Sequence, residues 1–290
     1  MVVIKKLSRL PLAVLVLLLF TFTDNVKAEN SAPAKARLNT SNTASLSRLN
    51  YAPIRLDGGT RLTLISPAKM AAVARRVKRT LEKTHAFFTS TFGPIPALKN
   101  SVRLMDEETF FLATGAPRWT NAMYYRGQIL IPLSQQDYRS LDNVERSLRH
   151  EYTHAVINAL SNGRCPGWLD EGLAQWAEGS ENPALQPALY NWLRDHPPVP
   201  LKLLQGGFTR LDPRMVPAAY AQSLFAARTI INTYGLKHIR RYFDRLRNGE
   251  PKDVAFKKNF SLTESDFEKR LALSLAKWRR RKTMYHLRMD

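Results

Sequence analysis

Cysteine is nearly absent: the 290 residues hold one thiol, Cys165. A disulfide within one chain is therefore excluded, as is every zinc or iron–sulfur site built on several thiolates. Acidic residues are scarce as well. Asp and Glu total 24 against 44 Lys and Arg, giving a net charge of +20 and a pI near 10.3. Such a field favours anionic partners and says nothing of fold. With 44% hydrophobic residues, 13 Gly and 17 Pro, the composition is ordinary for a globular chain. That disfavours collagen, wholesale disorder and a multi-span membrane protein. The length suits one good core or two small domains, and no internal repeat is visible.

Residues 1–28 read as a secretory signal peptide. Lys5, Lys6 and Arg9 form a basic start, Leu10 to Phe20 is apolar, and Val26-Lys27-Ala28 places small residues at a cleavage position. The alternative is an uncleaved anchor, although the run is short of the ~20 residues a span needs. No cysteine lies near the cleavage point, which disfavours a bacterial lipid anchor. Cleavage removes four Lys/Arg and one Asp, leaving +17 on the exported chain. Export with almost no cysteine points to a periplasmic or secreted bacterial protein.

Residues 29–55, rich in Ser, Ala, Asn and Pro, read as a linker or disordered N-terminus. Residues 56–290 form the folded domain, with a sheet lobe over about 56–160 and a helical lobe over about 161–290. Strands are predicted at Arg61–Ser66 and Ser101–Met105, and a hairpin or edge strand at Met123–Leu133 with Gly127 inside it. Ser66-Pro67 has the form of a helix start. Met70, Val73, Val77, Leu81 and Phe88 then give an apolar stripe that Gly93-Pro94 ends. Further helices are predicted over 143–160, 168–179, 183–195, 216–234, 236–247 and 264–282. The fold class is α+β: a small N-terminal mixed sheet lobe carrying the active-site helix, then a mainly helical C-terminal lobe.

The chemistry is concentrated in His150-Glu151-Tyr152-Thr153-His154. On a helix, residues i and i+4 share a face with Cβ atoms about 6 Å apart, so both imidazoles reach one metal ion. Glu151 is rotated ~100° from His150 and can point at a water without binding the metal. With six His and twelve Glu in the chain, chance would supply about 0.005 such patterns. A catalytic zinc needs a third protein ligand and an open position. The turn Gly163–Gly167 leads into a second helix, where Glu171 sits in an apolar stretch with Trp168, Leu169, Leu173, Ala174 and Trp176. A helix–turn–helix of that length brings Glu171 over the histidines.

H-E-Y-T-H followed by P-G-W-L-D-E-G-L-A resembles the gluzincin metallopeptidases, zincin-like enzymes, and in particular the bacterial peptidase MA-like family. The resemblance implies one Zn2+ held by His150, His154 and Glu171, with Glu151 as general base. It covers about residues 60–280, and only the two zinc-site segments are specific. It also implies an oxyanion donor, for which Tyr220 is the candidate; a core tyrosine is the competing reading. The family binds substrate along an edge strand, for which Tyr125–Ile131 is a candidate against an ordinary core strand. Where thermolysin-type members place an Asp four residues after the ligand Glu, this chain has Gln175. Asp170 or Glu178 is then left to support the ligands.

Other residues carry blander readings. Tyr152 is turned ~200° from His150, which favours packing. His85, His196, His238 and His286 lack ligand spacing. Cys165 is a weak alternative ligand beside three better ones. Trp278-Arg279-Arg280-Arg281-Lys282 ends a helix, where cations suit the C-terminal dipole. Residues 240–290 hold 15 Lys/Arg and 7 Asp/Glu. That region favours an anionic envelope surface, lipid headgroups or wall polymers, over nucleic acid. The expected function is zinc-dependent hydrolysis of peptide or protein substrates in the cell envelope. The alternatives are a non-catalytic zinc-binding domain and an anionic-polymer-binding envelope protein.

Overall fold

The computed structural model describes residues 48–116, 118, 120–134, 137, 141–179, 182–208 and 211–286. Residues 1–28, expected to be a signal peptide, residues 29–47 of the expected linker, and Trp119 lie outside them. The chain opens with a five-stranded sheet: β1 (Leu49–Arg55), β2 (Arg61–Pro67), β3 (Lys99–Asp106), β4 (Met123–Tyr125) and β5 (Gln128–Leu133), in the order β1-β2-β3-β5-β4. The outer pairs β1·β2 and β4·β5 are antiparallel, while β2·β3 and β3·β5 are parallel. A parallel pair needs a crossover, and α1 (Ala71–Phe92) supplies the first. Val73, Val77, Leu81 and Phe88 form its buried stripe.

Two expectations change here. Residues 49–55 are β1, not linker: they pair with β2 from Leu49↔Pro67 to Arg55↔Arg61. Of these seven only Ile54 is buried, so an edge strand with one inward side chain leaves no apolar alternation to read. Ser66-Pro67 closes β2 rather than opening the helix. Ala68 N–H still donates to Arg48 O, a short 3-10 turn covers Ala68–Met70, and α1 begins at Ala71. Proline suits this strand end because its missing N–H interrupts no ladder bond.

After β3 comes α2 (Glu107–Thr114), capped by Asp106, whose side chain accepts from the Thr109 N–H. The segment Met123–Leu133 is a hairpin, and its edge strand is β4 alone. The candidate edge Tyr125–Ile131 therefore spans the turn; β5 lies between β3 and β4 and is paired on both sides.

Next is α3 (Asp142–Ser161), which is buried on every side from His150 to Ile157. A helix enclosed all round is a central element, and α3 contacts β4, β5, α1, α4 (Gly167–Ala177) and α7 (Leu236–Arg247). Asn162 and Gly163 take positive φ of 54° and 69° to end α3. The chain then reverses into α4.

The remaining helices are α5 (Leu185–Asp195), α6 (Val216–Tyr234), α8 (Lys252–Phe260) and α9 (Glu264–His286). One hydrophobic core joins sheet and helices, running from Ile54 to Leu275. Gln222 of α6 clamps the Val199 peptide at both ends, accepting from its N–H at 2.8 Å and donating to its carbonyl at 2.6 Å.

Two glycines set how closely α4 approaches its neighbours. A Cβ on Gly167 would stand 2.3 Å from Gly206 O, and one on Gly172 would stand 2.2 Å from Ser223 O on α6. Only hydrogen fits at either position, and the contact at Gly172 fixes the height at which its neighbour Glu171 faces α3.

Candidate metal centre

His150 and His154 lie one turn apart on the enclosed face of α3, with ring centroids 4.9 Å apart. Glu171 enters from α4. Its Oε2 is 3.6 Å from His150 Nε2 and 3.9 Å from His154 Nε2. One ligand atom from each of these three buried residues lies within 4.8 Å of the others. Among the described residues, this is the one group of His, Cys, Asp and Glu that could hold a metal ion.

The far side of each imidazole is already engaged. His150 Nδ1–H donates to Glu178 Oε1 at 2.8 Å, and His154 Nδ1–H donates to Asp170 Oδ1 at 2.9 Å. An ionised carboxylate only accepts, so each bond fixes the proton on Nδ1 and turns the Nε2 lone pair toward Glu171. Both Nε2 atoms and Glu171 Oε2 are buried without a hydrogen-bond partner in the protein. Buried polar atoms are almost always satisfied. Three orphaned electron-pair donors aimed at one point fit a divalent cation with nitrogen and oxygen preference, such as zinc.

The charge balance points the same way. Glu151, Asp170, Glu171 and Glu178 surround two imidazoles, so the centre demands positive charge. Burial disfavours the His150 imidazolium, yet Glu171 and Glu178 outweigh burial and push its pKa up to about 10. His154 is raised likewise, Asp170 and Glu171 overcoming burial. Burial raises Glu171 and pushes Glu151 up to about 7, the two imidazoles offsetting part of the effect.

Glu151 does not join the three donors. Both its oxygens are buried and unpartnered, and the Tyr124 amide on β4 lowers its pKa from outside full hydrogen-bond geometry. Tyr220, on α6, is buried with its ring against Phe208 at 4.9 Å and its hydroxyl unpartnered. Burial above all, with Glu171 and Glu151, holds its phenol well above the usual range, so it stays protonated.

Gln175 donates to the Tyr220 carbonyl at 3.0 Å, tying α4 to α6 at that residue. Asp170 and Glu178, left as alternatives by the sequence, both serve, each supporting one imidazole. The sequence did not single out Arg146 and Arg149. Arg149 Nε–H donates to Glu178 O at 2.7 Å, and Arg146 Nε lies 3.7 Å from Glu178 Oε2. Their signal was position: on a helix, Arg146 sits one turn before His150.

The remaining candidates fall away from the centre. Tyr152 is fully buried and its hydroxyl meets His85 Nδ1 at 2.7 Å, while His85 Nε2 meets Asp57 O at 3.0 Å. His196 stacks on Trp192 and His238 packs near Tyr234. Cys165 keeps a neutral thiol, because burial raises its pKa well above the usual value. Arg279 of the basic run donates to Leu193 O at the end of α5. Among the described residues, no helix is long and apolar enough to cross a membrane.

A mixed sheet laid on a central helix whose two imidazoles are closed by a carboxylate from the next helix defines a zincin-like α+β protein. Residues 113–276 match the model of the Peptidase MA superfamily, and the chain belongs to that superfamily. No curated protein matches it. Among solved structures, aminopeptidase A of Legionella pneumophila, in complex with aspartic acid, is 15% identical with a TM-score of 0.49; the match covers 78% of this chain and 28% of that one. The M1 zinc metallopeptidase of Deinococcus radiodurans is 17% identical with a TM-score of 0.41, over 77% of this chain and 50% of that one. A mutant of the latter bound to a Tyr-Ser-Ala substrate gives 17% and 0.42, over the same shares. The chain thus spans between about a quarter and a half of these proteins' lengths.

Proposed function

We propose that the chain is a zinc-dependent peptidase that binds one ion through His150, His154 and Glu171 and uses Glu151 as general base. The observation that carries this reading is the convergence of three buried, unpartnered donor atoms within 4.8 Å, each imidazole being locked from behind by a carboxylate. When bound, zinc supplies Lewis acidity to a substrate carbonyl and to water. Glu151 takes the proton of the attacking water and delivers it to the leaving amine. Burial of the Glu151 carboxyl raises its proton affinity above that of a free glutamate, which favours its taking up the proton. Tyr220, protonated and with its buried hydroxyl unpartnered, donates to the developing oxyanion. The outer edge of β4, beside Glu151, presents backbone groups to an extended substrate.

The N-terminal pattern supports export to the cell envelope, with the periplasm as the setting. The exposed Lys277, Arg280 and Arg281 on α9 support contact with anionic lipid or wall polymer there. The test is Glu151→Gln. The variant should keep its zinc and lose hydrolysis of a peptide library that the wild type cleaves and a chelator silences. Undiminished hydrolysis by Glu151→Gln overturns the base assignment. Zinc binding with no cleavage by the wild type favours a non-catalytic zinc domain.

A further inference from the structure

A cleft of about 760 Å³ lies between the β4–β5 hairpin and the second half of α3, behind His154. Its inner end is formed by Asp170, which holds His154, and by Tyr124, whose amide neighbours Glu151. Its floor is the second half of α3, where Asn158 lies one helical turn, about 6 Å, past His154. Its outer end is the start of β3 and the tip of the β4–β5 hairpin, which bring Lys99 and Arg126 to the same cleft.

The placement of these cations follows from the backbone. Gly127 O accepts from Ser101 N–H at 3.0 Å, and a Cβ on Gly127 would lie 3.9 Å from Lys99 O, so the hairpin tip rests on the first residues of β3. Arg126 and Gly127 form a two-residue turn with φ of 47° and 79°. Both central residues of such a turn need positive φ, a demand met most easily by Asn-Gly. An arginine is held there instead, its guanidinium 5.1 Å above the Tyr125 ring. Lys99, Tyr125 and Arg126 are all exposed. Neither Lys99 nor Arg126 pairs with a carboxylate among the described residues, although other cations of the chain, such as Arg214 and Arg240, do.

We infer that Lys99 and Arg126 form a subsite for a carboxylate of the bound peptide, so that the protein selects substrates with an acidic side chain or a free C-terminus within a few residues of the scissile bond. Arg126 lies two residues past Tyr124 on the edge hairpin beside Glu151, and Lys99 lines the same cleft, so two unpaired cations there are complementary to negative charge on a peptide laid along β4, while Tyr125 adds an apolar face for the stem of the side chain. The inference rests on the reading of the centre as a peptide site. Its test is read by binding, so that it does not depend on turnover.

Fluorescein-labelled peptides of one length, each carrying a single Glu or Gln at successive positions, are titrated by anisotropy against the zinc-loaded full-length Glu151→Gln protein. A parallel pair ends in a free acid or an amide. One glutamate position, or the free acid, should bind about five-fold more tightly than its neutral partner, as two solvent-accessible ion pairs allow. The gain should shrink in high salt. Lys99→Gln with Arg126→Asn, the latter chosen because Asn accepts positive φ, should erase the preference while leaving affinity for the neutral peptides unchanged. Equal binding of acidic and neutral peptides at every position overturns the subsite, and so does a preference that survives in the double variant. Selective binding without cleavage by the wild type would keep the subsite and remove the peptidase reading. Cleavage without acidic selection would do the reverse.

Discussion

Glu178 Oε1 lies 2.8 Å from His150 Nδ1, although 28 residues separate the two in the chain. Glu178 immediately follows α4 and reaches back across α3, where Arg146 pairs with its carboxylate and Arg149 donates to its backbone carbonyl. The bond orients one imidazole as Asp170 orients the other, and it makes the centre depend on two helices at once.

Glu178→Gln should therefore weaken zinc binding without removing a ligand. The amide can present its NH2 group to Nδ1, which then accepts and moves the ring proton toward the metal side. A loss of about 10–100-fold in zinc affinity is expected, measured by competition with a chromophoric chelator. Asp170→Asn should behave alike through His154. Unchanged affinity in both variants would mean that the carboxylates are ordinary buried acids.

The contact between α4 and α6 is tested by Gly172→Ala. The new methyl group meets the Ser223 carbonyl and the Ala227 side chain, so the helices must separate. The expected cost is about 1–3 kcal/mol, or a melting temperature lower by roughly 3–10 °C in a chain of this size. Calorimetry on the zinc-free protein isolates this packing effect. Zinc affinity should fall with it, since Glu171 moves with α4.

Asp106 provides a pH-dependent case outside the centre. Its carboxylate accepts from Thr109 N–H at 2.9 Å and Thr109 Oγ1–H at 2.8 Å, and the backbone bond above all holds its pKa below the usual range. A carboxyl with a lowered folded pKa adds stability above its unfolded value, and that stability is lost as pH falls through the folded value. Asp106→Ala should cost about 1 kcal/mol at pH 7. The difference from wild type should shrink below about pH 4. Denaturant melts at pH 7 and pH 3 check this; a gap that is constant with pH would show that the cap does not act through its charge.

What the sequence revealed, and what it hid, follows from periodicity and length. The helices at 216–234 and 236–247 match α6 and α7 end to end, because long amphipathic patterns meet at Gly235, whose φ of 80° separates them. The grouping of His150, His154 and Glu171 was readable because the i, i+4 spacing and the helix–turn–helix return can be read without coordinates. The strand β1 was hidden because five of its first six side chains face solvent. The helices α2 and α8 were too short, at 8 and 9 residues, to show a repeating stripe. Gln175 stands in the sequence as a missing carboxylate behind the ligands; its bond to the Tyr220 carbonyl comes from the packing of α4 on α6, which no local pattern encodes. The pairing of Asp170 with one imidazole and Glu178 with the other was equally invisible, since it depends on how far α4 folds back over α3.

Zinc stoichiometry tests the account at its root. The full-length protein, dialysed at pH 7 against a small excess of zinc and then desalted, should retain one ion per chain by mass spectrometry. His154→Ala and Glu171→Ala should each retain almost none while keeping the wild-type helical signal in circular dichroism. A wild type that comes through free of metal, or variants that still carry a full equivalent, would contradict the assignment of this centre.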